Sequence, residues 1–236
     1  MYIPDLKYTF YGPIVLSAII IGIVVACLLM AKAGAAKGTC FYTALLTFVM
    51  IIMVSFMTSI ALNKDIRNIG FVGAGGALGL ILGAVTSALI HRDHITESIA
   101  AWITSAPLMY GLSKIACHIA GCCNGIPYTG TLAVTYEAKN HGSYFPVQLT
   151  ETVSFIFIFI IGLILYLKLG DKTRTAIITL ILSGITKTGL EFLRESHIGQ
   201  TISNYQILVL CITFAGAAAI RYVSRISARE AQSRNL

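Results

Sequence analysis

Of the 236 residues, 56% are hydrophobic and only 11% are charged, with a mean hydropathy of +0.81, a composition that excludes a water-soluble globular domain. The net charge of +7 does not point to nucleic acid, because no basic domain stands outside the oily runs. Runs of about 20 apolar residues, the length that crosses a hydrocarbon core, recur along the chain without the alternation of barrel strands. The class is therefore an all-α polytopic membrane protein, read as a single domain over 1–236.

Seven transmembrane spans are predicted, in chain order Gly12–Met30, Cys40–Leu62, Phe71–Ile90, Ile99–Cys123, Pro146–Leu167, Ala176–Leu193 and Tyr205–Val223. The first has no basic leading region and six more follow it, so it is not read as a cleavable signal. The third carries Gly75, Gly79 and Gly83 at four-residue spacing, a small-residue stripe that lets membrane helices approach closely. Gly73, Gly75 and Gly76 crowd its start, where exposed N–H groups suit a phosphate.

The fourth span ends in CHIAGCCNG. Lys114, Cys117, His118, Gly121 and Cys122 follow three- and four-residue spacing and so share a face. The longest connection runs from Asn124 to Phe145, and the fifth span opens with FPVQLTE, placing Gln148 and Glu151 at its start. In the sixth, Lys187, Glu191 and Arg194 fall within one narrow stripe. Charges inside a span cost roughly 2.5–3.5 kcal/mol each on insertion scales, so they line a cavity or find partners. Three spans thus bring polar groups to one depth with positive charge in excess, which suits an anionic head group such as a phosphodiester.

Orientation follows from Lys and Arg in the connections. One side holds ten of them: Lys32, Lys37, Arg92, Lys168, Lys172, Arg174, Arg221, Arg225, Arg229 and Arg234. The other holds five: Lys7, Lys64, Arg67, Lys139 and Arg194. The richer side is expected to be cytoplasmic, with the N-terminus outside and the C-terminus inside. The basic tail RYVSRISAREAQSR then meets an anionic inner leaflet.

Read as a helix, Cys122 and Cys123 lie about 100° apart, a poor geometry for one metal ion, and no C-x-x-C spacing is present. A bond between neighbouring cysteines is strained. Cys123 is expected to turn away from the Lys114 face, and the thiols are read as packing residues on a pocket wall. No metal and no cofactor are expected. His118 is the histidine best placed within the membrane, and His141 and His197 lie in the connections on the same side.

These stretches, in this order, resemble the prolipoprotein diacylglyceryl transferase family over nearly the whole chain. Tyr11–Gly12 matches the opening of the family's first span, where the tyrosine is functional, and Gly75–Gly76 fall on its glycine pair. SKIACHIAGCCNG is similar to the signature G-R-x-G-N-F-x-N-G-E-x-x-G, with Gly121 and Gly125 kept, Lys114 in the arginine position, Cys117 in the asparagine and Cys122 in the glutamate. FPVQLTE resembles H-P-x-Q-L-Y-E, KTGLEFLR resembles R-F-x-x-E-x-x-R, and Gln206 matches at the last span. Ala74 and Phe145 stand where the family carries histidines.

The resemblance implies seven spans, an outward N-terminus, and transfer of diacylglyceryl from phosphatidylglycerol to the cysteine thiol of a prolipoprotein signal peptide, in a bacterial plasma membrane. It implies phospholipid binding by Lys114, Lys187, Glu191, Arg194, Gln148, Gly75 and Gly76. Tyr11, His118 and His141 are the catalytic candidates, either histidine serving as base for the thiol. The departures leave open a transferase with another acceptor, or a lipid-binding or assembly protein on the same scaffold.

Overall fold

The computed structural model describes residues 1–4, 9–63, 70–137 and 142–234. Seven long helices dominate: α1 Tyr11–Lys32, α2 Lys37–Asn63, α3 Gly73–Ile90, α4 Ile95–Ile119, α5 Val147–Lys168, α6 Lys172–Glu191 and α7 Asn204–Arg234. They occupy the predicted spans. α1, α2, α3, α5 and α7 are long and apolar enough to cross a membrane. α4 and α6 have the length, at 25 and 20 residues, and carry the polar stripes.

The burial pattern explains that division. α1 exposes Leu16, Ile20, Val24 and Leu28, and α5 exposes Val153, Phe157, Ile160 and Ile164. Apolar stripes that broad face lipid rather than water. α4 is instead buried along most of its length, packed against α1, α3, α5 and α6, with Trp102 and Ala100 fully enclosed. A helix surrounded by helices can hold Lys114 without presenting it to lipid, so its composition is freed from the hydropathy rule.

The glycine stripe of α3 serves helix packing. A Cβ on Gly79 would fall against the Met50 carbonyl and 2.9 Å from Ile51 Cα, and one on Gly83 would sit 2.7 Å from Thr47 Cα. Both neighbours are α2 backbone, which has nowhere to go. Gly79→Ala is therefore expected to lower thermal stability by about 1–3 kcal/mol, whereas Gly38→Ala, with nothing within 4 Å, should leave it unchanged. Thermal unfolding in detergent compares the two.

Two features depart from the sequence expectations. A three-stranded sheet forms beside the bundle: β1 Tyr2–Ile3 pairs in parallel with β2 Val134–Tyr136, which pairs antiparallel with β3 Ser143–Tyr144. Ile3, Val134 and Tyr136 bury its small core. The runs are two or three residues long, too short for alternation to reveal. The fourth helix also stops at Ile119, short of the predicted Cys123. Gly121, at φ +64°, takes a left-handed turn, as glycine readily does. Cys122 and Cys123 therefore lie beyond the helix.

Candidate active site

The starts of α1, α3 and α5 and the ends of α4 and α6 meet at one end of the bundle. The link after α4 fastens them: Ile126 N donates to Leu193 O at 2.9 Å, and Glu195 N donates to Asn124 O at 3.0 Å. Gly125 pairs with Arg194, and a Cβ there would collide with the Phe145 backbone. The CHIAGCCNG and KTGLEFLR strings are thus held side by side through backbone hydrogen bonds.

At the centre sits Glu151, fully buried on α5. Its carboxylate receives Lys187 Nζ at 2.8 Å, Lys114 Nζ at 3.2 Å and Arg194 Nη2 at 3.3 Å, together with the Tyr110 hydroxyl at 3.1 Å. Glu191 takes Lys187 at 2.7 Å and Arg194 Nε at 3.4 Å. Three cations against two carboxylates leave one unit of positive charge. Lys114 lies 4.7 Å from the Tyr110 ring centroid and Lys187 5.0 Å from that of Tyr205, where the ring faces add cation–π attraction.

The register that brings Lys114 to Glu151 comes from a close helix contact. Gly111 of α4 lies close to the α5 backbone: a Cβ there would stand 3.1 Å from Thr152 O, and Thr152 Oγ1 donates to Gly111 O at 3.0 Å. Lys114 is one turn further along α4, and Glu151 directly precedes Thr152. The α4–α5 contact therefore sets the ion cluster.

Beside the cluster opens a cavity of about 240 Å³. Its walls run from polar to apolar in the same sense on α1 and α4. On α1 they pass from Tyr11 to Val15 and Ile19, and on α4 from Cys117, Lys114 and Ser113 to Met109 and Ala106. Arg194 and Cys123 also line it. Eight residues of α1 rise about 12 Å, enough to take a charged group at one end and hydrocarbon at the other. A smaller cavity, about 100 Å³, shares the Gly73, Ala77, Leu80 and Tyr110 walls and reaches Lys187.

The expected site residues divide accordingly. Tyr11, Lys114, Arg194 and Gly76 line the larger cavity, Lys187 the smaller, and Glu191 braces two of the cations. Gly75 does not reach the larger cavity; its open side abuts Thr58 and the Val54 carbonyl of α2. Gln148 is fully buried and turned to the chain itself, its Nε2 donating to Cys122 O at 2.8 Å. It holds the turn after α4 in place.

His118 also turns from the cavity. Its Nδ1 lies 3.0 Å from the Tyr136 hydroxyl, which donates to Gln148 Oε1 at 3.3 Å. Burial pushes the Tyr136 phenol above its ordinary range, so it remains a neutral donor. His118 Nδ1–H therefore completes the contact, and Nε2 has no hydrogen-bond partner among the described residues. His141 lies outside the described residues, as do Lys7, Lys64, Arg67 and Lys139 of the poorer basic side. His197 is buried edge-on to Phe192, with ring centroids 4.6 Å apart.

The placement expected for Cys123 is overturned. It follows the end of α4 with φ 57°, so helical phasing does not apply, and its side chain lines the cavity beside Cys117. The sulphurs of Cys117, Cys122 and Cys123 lie within 4.8 Å of one another. Ala74 lines the smaller cavity, and Phe145 packs edge-on to Tyr128 at 5.5 Å.

Comparison with known proteins adds an independent line. Residues 1–222 match the family model described as prolipoprotein diacylglyceryl transferase. Two curated relatives align with the chain. A protein of Clostridium perfringens (strain 13 / Type A) named phosphatidylglycerol–prolipoprotein diacylglyceryl transferase 2 is 28% identical over 159 residues, covering 65% of this chain and 62% of the relative. One of Clostridium tetani (strain Massachusetts / E88), named phosphatidylglycerol–prolipoprotein diacylglyceryl transferase, is 26% identical over 163 residues, covering 65% of this chain and 64% of the relative. The matched stretch spans less than two thirds of either relative's length.

Proposed function

Since the chain belongs to the prolipoprotein diacylglyceryl transferase family, a family of membrane transferases, we propose that it transfers diacylglyceryl from phosphatidylglycerol to a cysteine thiol of a prolipoprotein signal peptide. The observation that carries this reading is the graded cavity, with Lys114 and Arg194 at the end where Tyr11 stands and Val15, Ile19 and Leu80 further along. A phospholipid has the same order of parts, from phosphodiester to glyceryl to acyl chain.

In this reading the phosphodiester lies against Lys114 and Arg194, and the glyceryl carbon next to it faces the acceptor. The thiolate attacks that carbon. A C–S bond forms, the C–O bond to phosphate breaks, and the electron pair leaves with glycerol phosphate. Charge grows on the departing phosphate oxygen, where preorganised cations stabilise a transition state most. Glu151 keeps those cations in place before substrate arrives, and the Tyr11 hydroxyl positions the head group from α1. The expected orientation puts this end of the bundle at the outer face of a bacterial plasma membrane, where a secreted acceptor peptide arrives.

Incubating purified protein with labelled phosphatidylglycerol and a lipobox peptide tests the reading. Equal amounts of peptide thioether and glycerol phosphate are expected. Glycerol phosphate without thioether would sink this acceptor, and bound but unchanged phospholipid would sink the transferase reading itself.

A further inference from the structure

Three thiols cluster in one small volume at the edge of the larger cavity. Cys117 is 6% exposed at the end of α4, Cys122 is half-buried, and Cys123 is exposed. Small apolar side chains would fill the same space. The backbone also spends energy to assemble them: a non-glycine residue in the left-handed region costs roughly 1–2 kcal/mol, and Cys123 adopts it at φ 57°. That conformation persists because the turn is held on both sides. Gln148 clamps the Cys122 carbonyl and lies 3.4 Å from Asn124 Oδ1, while the Asn124 carbonyl accepts from Glu195 N.

We infer that Cys117, Cys122 and Cys123 form a three-thiolate site for a zinc ion, whose fourth position opens into the cavity and takes the acceptor thiol. A zinc–sulphur bond of about 2.3 Å places tetrahedral sulphurs about 3.8 Å apart. The thiols all lie within 4.8 Å of one another, so no pair has to close by more than about 1 Å to reach that spacing. Soft thiolates select zinc or copper(I) over harder cations. Three protein ligands with one open position make a reactive rather than a structural zinc site. Lys114 and Arg194 line the same cavity, where their positive charge offsets the net negative charge of a zinc ion held by three thiolates.

The site supplies what the pocket lacks among the described residues. His118 is turned to Tyr136 and does not line the cavity, so it is not poised as a base for the acceptor. Coordination does that work instead. The acceptor R–SH binds zinc as R–S⁻ and releases its proton to water, and the bound sulphur attacks the glyceryl carbon. Glycerol phosphate leaves with the C–O electron pair, and the thioether product, a weaker ligand, departs from the metal. No electron is exchanged. This use of the fourth position rests on the transferase reading above, whereas the metal site itself does not.

The test uses the full chain in detergent, purified under reductant, stripped with chelator, and titrated with Zn²⁺ or Co²⁺ alone. About one metal per chain is expected, with the near-ultraviolet thiolate-to-cobalt band and strong visible bands of a tetrahedral site. Cys123→Ser, at an exposed position, should weaken zinc binding by more than about 100-fold, beyond the 10–100-fold typical of losing an outer-shell partner. Its metal-free form should unfold at the same temperature as the metal-free parent. A lipobox peptide should shift the visible bands of the cobalt protein, and the same peptide with serine for cysteine should not.

Absence of the thiolate band, equal metal affinity in Cys123→Ser, or an unreduced protein two hydrogens lighter through a disulfide would each overturn the inference. Thioether formation at full rate by stripped protein would overturn it while leaving the transferase reading intact. Bound zinc with phospholipid left unchanged would do the reverse, removing the transferase reading and keeping the site.

Discussion

Glu151→Ala is expected to abolish lipid turnover and to lower folding stability by about 3–5 kcal/mol, the cost typical of breaking a buried ion pair by removing one partner. The size follows from the geometry. Glu151 is the carboxylate on which Lys114, Lys187 and Arg194 all converge. Without it Lys187 and Arg194 still find Glu191, but Lys114 keeps no ion-pair partner among the described residues. Three cations facing one carboxylate repel one another in a low-dielectric setting. Glu191→Ala is expected to cost less, because Glu151 continues to pair both Lys187 and Arg194. Thermal unfolding in detergent and phosphatidylglycerol turnover, measured on both variants, rank the two. If Glu191→Ala proved the more damaging, the centre of the cluster would be misplaced.

Arg194→Lys separates chemistry from folding. Its backbone contributions, the pairing with Gly125 and the bond to Glu191 O, do not depend on the side chain. A lysine keeps the charge near Glu151, so the unfolding temperature should stay within a few degrees of the parent. Turnover should fall by roughly 10²–10³-fold, the loss seen when one preorganised donor to a developing anion is removed. The guanidinium touches both Glu151 oxygens through Nη2 and faces Glu191 through Nε, a planar fork that an ammonium on a flexible stem cannot reproduce. Unchanged turnover in a well-folded Arg194→Lys protein would remove Arg194 from phosphate binding.

The spans and the stripes were legible in the chain because each depends on local arithmetic. Twenty apolar residues specify a crossing, and Lys187, Glu191 and Arg194 fall on one face at helical spacing wherever the helix is placed. The resemblance also selected Tyr11, Lys114 and Arg194, three residues that the structure brings to one cavity. Glu151 was visible in FPVQLTE, yet nothing local distinguished its role from that of Gln148, three residues earlier. The fold separates them, sending Glu151 to the cations and Gln148 to the carbonyl of Cys122.

What the sequence by itself determined is the class, the order of the helices and the residue types that carry charge within them, because composition and period act along a single segment. The tertiary structure alone decided which charges meet and which way the thiols face. Glu151 becomes the centre because the close approach of Gly111 to Thr152 fixes the rotation and register of α5 against α4, and contacts between segments have no signature within either one. Cys123 reaches the cavity because the helix ends at Ile119 and the chain turns through left-handed conformations at Gly121 and Cys123. A periodicity argument carried four residues past that end assigns the thiol to the wrong face, since the 100° step holds only while the helical hydrogen bonds continue.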